Sequence, residues 1–138
     1  MGSDYTVIMH QSVHIGDEPG AFGNVTSAGR TFKTQFSCPN VDPSQRAVLV
    51  FQARGVQSAH NTIAINGSRV FGGVPISQPS TGPELPIWNG NVALVEAGAL
   101  KPNQSNELVI ESFSLSGGPS GNIDDILIDN MVIFFKTR

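Results

Sequence analysis

The segment Arg46-Ala47-Val48-Leu49-Val50-Phe51-Gln52-Ala53-Arg54 decides the fold. Its aliphatic and aromatic residues favour extended chain, and most of its length is apolar on both faces: Ala47, Leu49, Phe51 and Ala53 oppose Val48 and Val50. Such a strand belongs in the middle of a sheet whose outer side is also covered. Working back from it, the turn Pro39-Asn40-Val41-Asp42-Pro43 follows a second strand, Thr31 to Phe36. That strand alternates, with Phe32, Thr34 and Phe36 on one face and Lys33 and Gln35 on the other. Tyr5 to His10 has the same period of two. Between these lies Gly16-Asp17-Glu18-Pro19-Gly20-Ala21-Phe22-Gly23-Asn24, whose glycines and proline forbid a regular element.

Forward of the central strand, Asn61 to Asn66 alternates again and runs into Asn66-Gly67, a hairpin signal because both residues tolerate positive φ. Arg69-Val70-Phe71 is the expected return. Gly72 to Pro86 holds four prolines and three glycines and reads as a long surface loop. Strands are expected at Asn91 to Glu96, Glu107 to Phe113 and Ile126 to Phe135. In the last, strict alternation groups Leu127 with Met131, Ile133 and Phe135, and Ile126 and Ile128 with Val132 and Phe134. Ala97 to Leu100 has room for one helical turn, with Leu100 plugging a sandwich end. Eight strands without a crossover helix predict an all-β fold: a two-sheet antiparallel β-sandwich of the jelly-roll kind.

The 138 residues suit one domain. Met1 to Asp4 lacks the basic and apolar regions of a signal peptide and is expected to be an expression leader, with the single sandwich domain over 5–138. A processed secreted protein and a cytoplasmic one would read alike. A formal net charge of -3, with scattered basic residues, argues against nucleic-acid binding. No apolar run, exposed apolar loop or basic helix suggests membrane insertion. The single Cys38 cannot form an internal disulfide and reads as a small buried residue rather than a nucleophile.

Three stretches resemble the galactose-binding-domain-like jelly-roll superfamily. They are Asn61-Thr62-Ile63-Ala64-Ile65-Asn66-Gly67 followed by Trp88; Leu100-Lys101-Pro102-Asn103 with Asn106-Glu107-Leu108-Val109-Ile110; and Asp124 to Ile133. The resemblance covers roughly 31–135 and its motifs are structural. It implies a sandwich closed by a long last strand, and a family of carbohydrate-binding modules, lectins and non-binding accessory domains. It also implies a structural calcium between an early loop and the last strand, which Asp17 and Asp125 would share.

No phosphate loop, His-Glu-x-x-His, cysteine pair or nucleophile elbow occurs, so the chain reads as a non-enzyme. His10 and His14, four apart on extended chain, stand roughly 13 Å apart, too far for one metal. Carboxylates offer more. Asp17 and Glu18 in the early loop, with Asp124 and Asp125 before the last strand, are the oxygen donors a hard cation such as calcium takes; the alternative is solvated turn residues. Trp88 either stacks on a sugar ring, with Asn89 beside it reading hydroxyls, or plugs one end of the core. Arg54, His60 and Trp88 would form one ligand-binding group with Asn89 if their strand ends meet at one end of the sandwich. The expected function is a non-catalytic carbohydrate-binding module or lectin holding a glycan or small saccharide in a loop-borne pocket. The rival is a structural or protein-interaction domain of a larger assembly, in which a partner subunit covers the two-faced apolar strands; a homo-oligomer fits either.

Overall fold

The computed structural model describes residues 2–138. Nine strands follow in order: β1 Gly2–Met9, β2 Val13–Ile15, β3 Thr31–Ser37, β4 Ala47–Arg54, β5 Thr62–Ile65, β6 Ser68–Arg69, β7 Asn89–Val95, β8 Ser105–Glu111 and β9 Ile126–Thr137. They form two antiparallel sheets. One has the order β1-β9-β4-β7, with β2 also paired to β9; the other has the order β3-β8-β5-β6. From β3 onward the chain crosses between the sheets at every connection except the β5-β6 hairpin, which is jelly-roll winding. No helix forms among the described residues, and Ala97 to Leu100 is a turn, but Leu100 does close the core. Gly2, Ser3 and Asp4 pair with Thr137, Lys136 and Phe135 as the first part of β1.

The core lies between the sheets. Leu49, Phe51, Met131 and Ile133 from one side meet Ile63, Ile65, Leu108 and Ile110 from the other, all buried. β4 sits between β9 and β7, the central place its two apolar faces require. The Asn66-Gly67 turn has φ of 49° and 83°, as a two-residue hairpin needs. Beyond it, Asn106 explains the Leu100 to Ile110 motif: its Oδ1 accepts from Lys101 N and Asn66 Nδ2 at 2.8 and 2.7 Å, stitching the hairpin to the turn before β8.

β9 departs from strict alternation. Asn130, at φ 50°, makes a bulge, so the register to β4 slips between Val50 and Gln52. One extra residue reverses which side the chain presents. Ile126 and Ile128 therefore share the core with Met131, Ile133 and Phe135, while Leu127 turns to the outer face beside its pairing partners His14 and Arg54. The expected grouping of Leu127 with Met131 fails for that reason.

Candidate binding site

The outer face of the five-stranded sheet is split in two. At the end holding Arg54, Leu127 and His14 it is covered by the early loop and the loop before β7. The early loop sends Phe22 edge-on against His14, with centroids 5.0 Å apart. Arg54 Cζ lies 5.8 Å from the ring centres of both Phe22 and Trp88. Two glycines permit this closeness. A Cβ on Gly16 would sit 2.0 Å from Asp125 Oδ1, and one on Gly55 3.0 Å from Phe22 Cζ and 3.2 Å from Glu84 Cγ.

Between the loops opens a cavity of about 380 Å³. Glu18 and Phe22 line it from the early loop, Gly55 and Gln57 from the end of β4, Gln78 and Glu84 from the long loop, and Asn122, Asp124 and Asp125 from the approach to β9. Four acidic residues thus line one space, and each is tied differently. Arg54 donates through Nε to Glu84 Oε1 at 2.6 Å and through Nη2 to Oε2 at 3.1 Å, which raises the guanidinium pKa further. Asp125 Oδ1 lies 2.7 Å from His14 Nε2 and accepts from Glu18 N at 3.1 Å. Asp124 Oδ2 accepts from Gln57 N, Ser58 N and Asn61 Nδ2 at 2.8–2.9 Å. Burial pushes the Asp124 carboxyl above its ordinary pKa, against the pull of those three donors. Glu18 offers its main-chain N–H to Asp125 and is itself exposed, at the cavity's rim.

His14 is fully buried, and its Nδ1 has no partner. Nε2 is the ring nitrogen that faces the Asp125 carboxylate, an acceptor, and so is the one that donates to it, which leaves Nδ1 on the side without a partner. Beyond excluding a metal shared with His10, the sequence does not mark His14; its burial follows from Gly16, whose missing Cβ lets the early loop fold back against Asp125.

The expected residues therefore separate. Glu18, Asp124 and Asp125 do share one cavity, whereas Asp17 is exposed outside it. Among the described residues no three His, Cys, Asp or Glu side chains stand together as a metal site. Trp88 is half-buried and outside the core, flanking the cavity through Arg54 rather than plugging the sandwich. Asn89 opens β7 opposite Ala53, and its carbonyl accepts from Asn91 Nδ2. His60 does not join Arg54 and Trp88. It is exposed, packs near Gly117, and lines a different cavity of about 320 Å³ with Asn61, Arg69 and Val74.

No family model matches the chain, and no curated protein matches it. Among solved structures it is similar to the C-terminal domain of EclA, described as a sugar-binding protein, with a TM-score of 0.43 and 12% identity over 95% of this chain and 76% of that one. At that distance the likeness says nothing about a ligand here.

Proposed function

We propose that the protein is a non-catalytic carbohydrate-binding module that takes a small saccharide in the cavity between the early loop and the loop before β7. The observation that carries this is the cavity wall: carboxylates from Glu18, Glu84, Asp124 and Asp125 with the amides of Gln57, Gln78 and Asn122. Such a wall is rich in acceptors for the many hydroxyl donors of a sugar, while Phe22 and Pro83 supply apolar surface for a ring face. Binding without chemistry fits the way Glu84 and Asp125 are engaged by Arg54 and His14, and Asp124 by three donors, which makes these side chains a fixed wall. Calorimetric titration against mono- and oligosaccharides tests the reading, with Glu18→Gln and Asn122→Ala as variants that touch no core contact. Each should weaken binding about tenfold. Silence across a broad glycan panel would defeat it.

A protein-interaction role has its own support: the other half of the outer face is bare and apolar.

A further inference from the structure

Past the loops, the outer face of the five-stranded sheet carries no cover among the described residues. Strand pairing sets two apolar rows across it. One runs Tyr5, Phe134, Val48, Leu94 and, through a bridge at the sheet edge, Phe71. The next runs Val7, Val132, Val50 and Val92. Polar margins flank the rows. On one side stand Lys136 and Arg46, with Arg46 3.5 Å from Glu96; on the other stand Gln52 and Asn130, joined at 2.6 Å. The opposite sheet shows no such face: its outer positions include Lys33, Gln35, Arg69, Glu107 and Glu111.

The exposure is large. Tyr5 is 60% exposed, Phe71 72%, Val92 70% and Phe134 48%, with Val7 and Leu94 adding to them. With an aromatic side chain spanning roughly 200 Å², the two rows present roughly 700 Å² of apolar surface. A monomer's largest patch is usually about 300–600 Å², whereas one side of a standard interface is about 800 Å².

We infer that this face is the dimer interface of the protein, and that its occupant is a second copy of the same chain. The reason is self-complementarity. When the sheet meets its own copy turned end for end, about a two-fold axis lying across the strands, the aromatic row of each copy falls over the valine row of the other. Bulky side chains then fill the space above short ones, as close packing of two sheets requires. The same turn sets the Lys136 and Arg46 margin against the neutral amides of Gln52 and Asn130. A two-fold axis along the strands would instead bring Lys136 over Arg46 and aromatic row over aromatic row. The sequence pattern agrees: Val48, Val50, Val132 and Phe134 are apolar where a solvated sheet would alternate to polar. End-for-end pairing also leaves the two loop-covered cavities at opposite ends of the dimer.

Sedimentation velocity with light scattering tests this on the intact chain. A species of twice the chain mass is expected, and Val92→Glu or Phe134→Glu should weaken its association by on the order of tenfold or more with an unchanged circular dichroism spectrum. Both positions are open to solvent in a single copy, so the fold tolerates the charge. To read the orientation, chains carrying Phe134→Cys and Val132→Cys should cross-link to each other faster than either does to itself; buried Cys38 stays out of the reaction. A monomer at the highest concentration the protein tolerates would overturn the inference, whether or not the face then binds lipid vesicles or another protein. So would a dimer indifferent to both glutamate variants.

Discussion

Arg54 and Glu84, thirty positions apart, meet through both arms of one guanidinium fork. The contact anchors the proline-rich loop to the end of β4 and holds a carboxylate at the cavity wall. Lysine carries the charge without the fork. Arg54→Lys should therefore leave the core intact while loosening the loop. Limited proteolysis should cut between 79 and 87 faster than in the parent, and global stability should fall by only about 1 kcal/mol, because both side chains are about a quarter exposed.

Asp124→Ala is the most damaging single change expected near the cavity. It strands Gln57 N, Ser58 N and Asn61 Nδ2, and Ser58 and Asn61 are buried. Unmet buried donors at about 1–3 kcal/mol each make a loss of about 3 kcal/mol or more in urea unfolding. Asp17→Ala, at an exposed position, should stay within about 0.5 kcal/mol of the parent.

Two buried acids share one sign of pH dependence. Burial raises the Cys38 thiol to about 11 and raises the Asp124 carboxyl as well. A raised folded-state pKa means the native state holds the proton more tightly, so stability is lost as pH climbs from the unfolded to the folded value. For Asp124 that window opens just above its ordinary 3.8, and for Cys38 it lies between 9.0 and about 11. Carboxyl-carbon NMR should show Asp124 titrating late. Cys38 should resist a thiol reagent at pH 8 until denaturant is added.

The sequence suggests a cation among Asp17, Glu18, Asp124 and Asp125. An ion at Asp125 Oδ1 would have to displace both His14 and the Glu18 N–H. We expect metal-stripped protein to melt at one temperature with calcium or with chelator. A calcium-dependent rise that disappears in Asp125→Ala would put the ion there after all.

Trp88→Ala should cost about 1–2 kcal/mol, below the about 3–5 kcal/mol of an emptied core site, since the ring is half-buried against Arg54. As the lone indole, its emission should shift when saccharide enters the cavity, through Arg54 and Glu84. Indifference of the fluorescence to a ligand proven by calorimetry would uncouple Trp88 from the site.

The sheets were legible in the sequence because period-two patterning and Gly/Pro/Asn turns are local signals. β4 between two apolar faces and the Asn66-Gly67 hairpin follow directly from them. β2 was not legible: Val13-His14-Ile15 is three residues long and held by pairing to β9 at Ile126 to Ile128 and by a single bridge from His14 to Ser27, both remote or loop contacts. The bulge at Asn130 escaped as well, since Asp129-Asn130 looks like ordinary polar punctuation until its partners show the slip. For the site, the family resemblance implied that the early loop and the start of β9 belong together, and Glu18, Asp124 and Asp125 do line one cavity. Side-chain pairings are tertiary facts. Nothing in the order of residues marks Glu84 as the partner of Arg54, or sends His60 to the other cavity.

β9 lies in the middle of the five-stranded sheet and pairs with β1, β2 and β4. Translation reverses that importance: the strand that joins the others emerges from the ribosome after all of them. Until residues 126–137 are free, β1 and β4 have no common neighbour, and the edge of each that pairs with β9 is open. The sheet of β3, β8, β5 and β6 has no such dependence, because all its strands lie before Ser112. The domain should thus assemble in a fixed order, with β8 and β5 amides protected first in pulse-labelled hydrogen exchange. The closing step brings Gly2 beside Thr137, a separation that makes folding slow for a chain of this length.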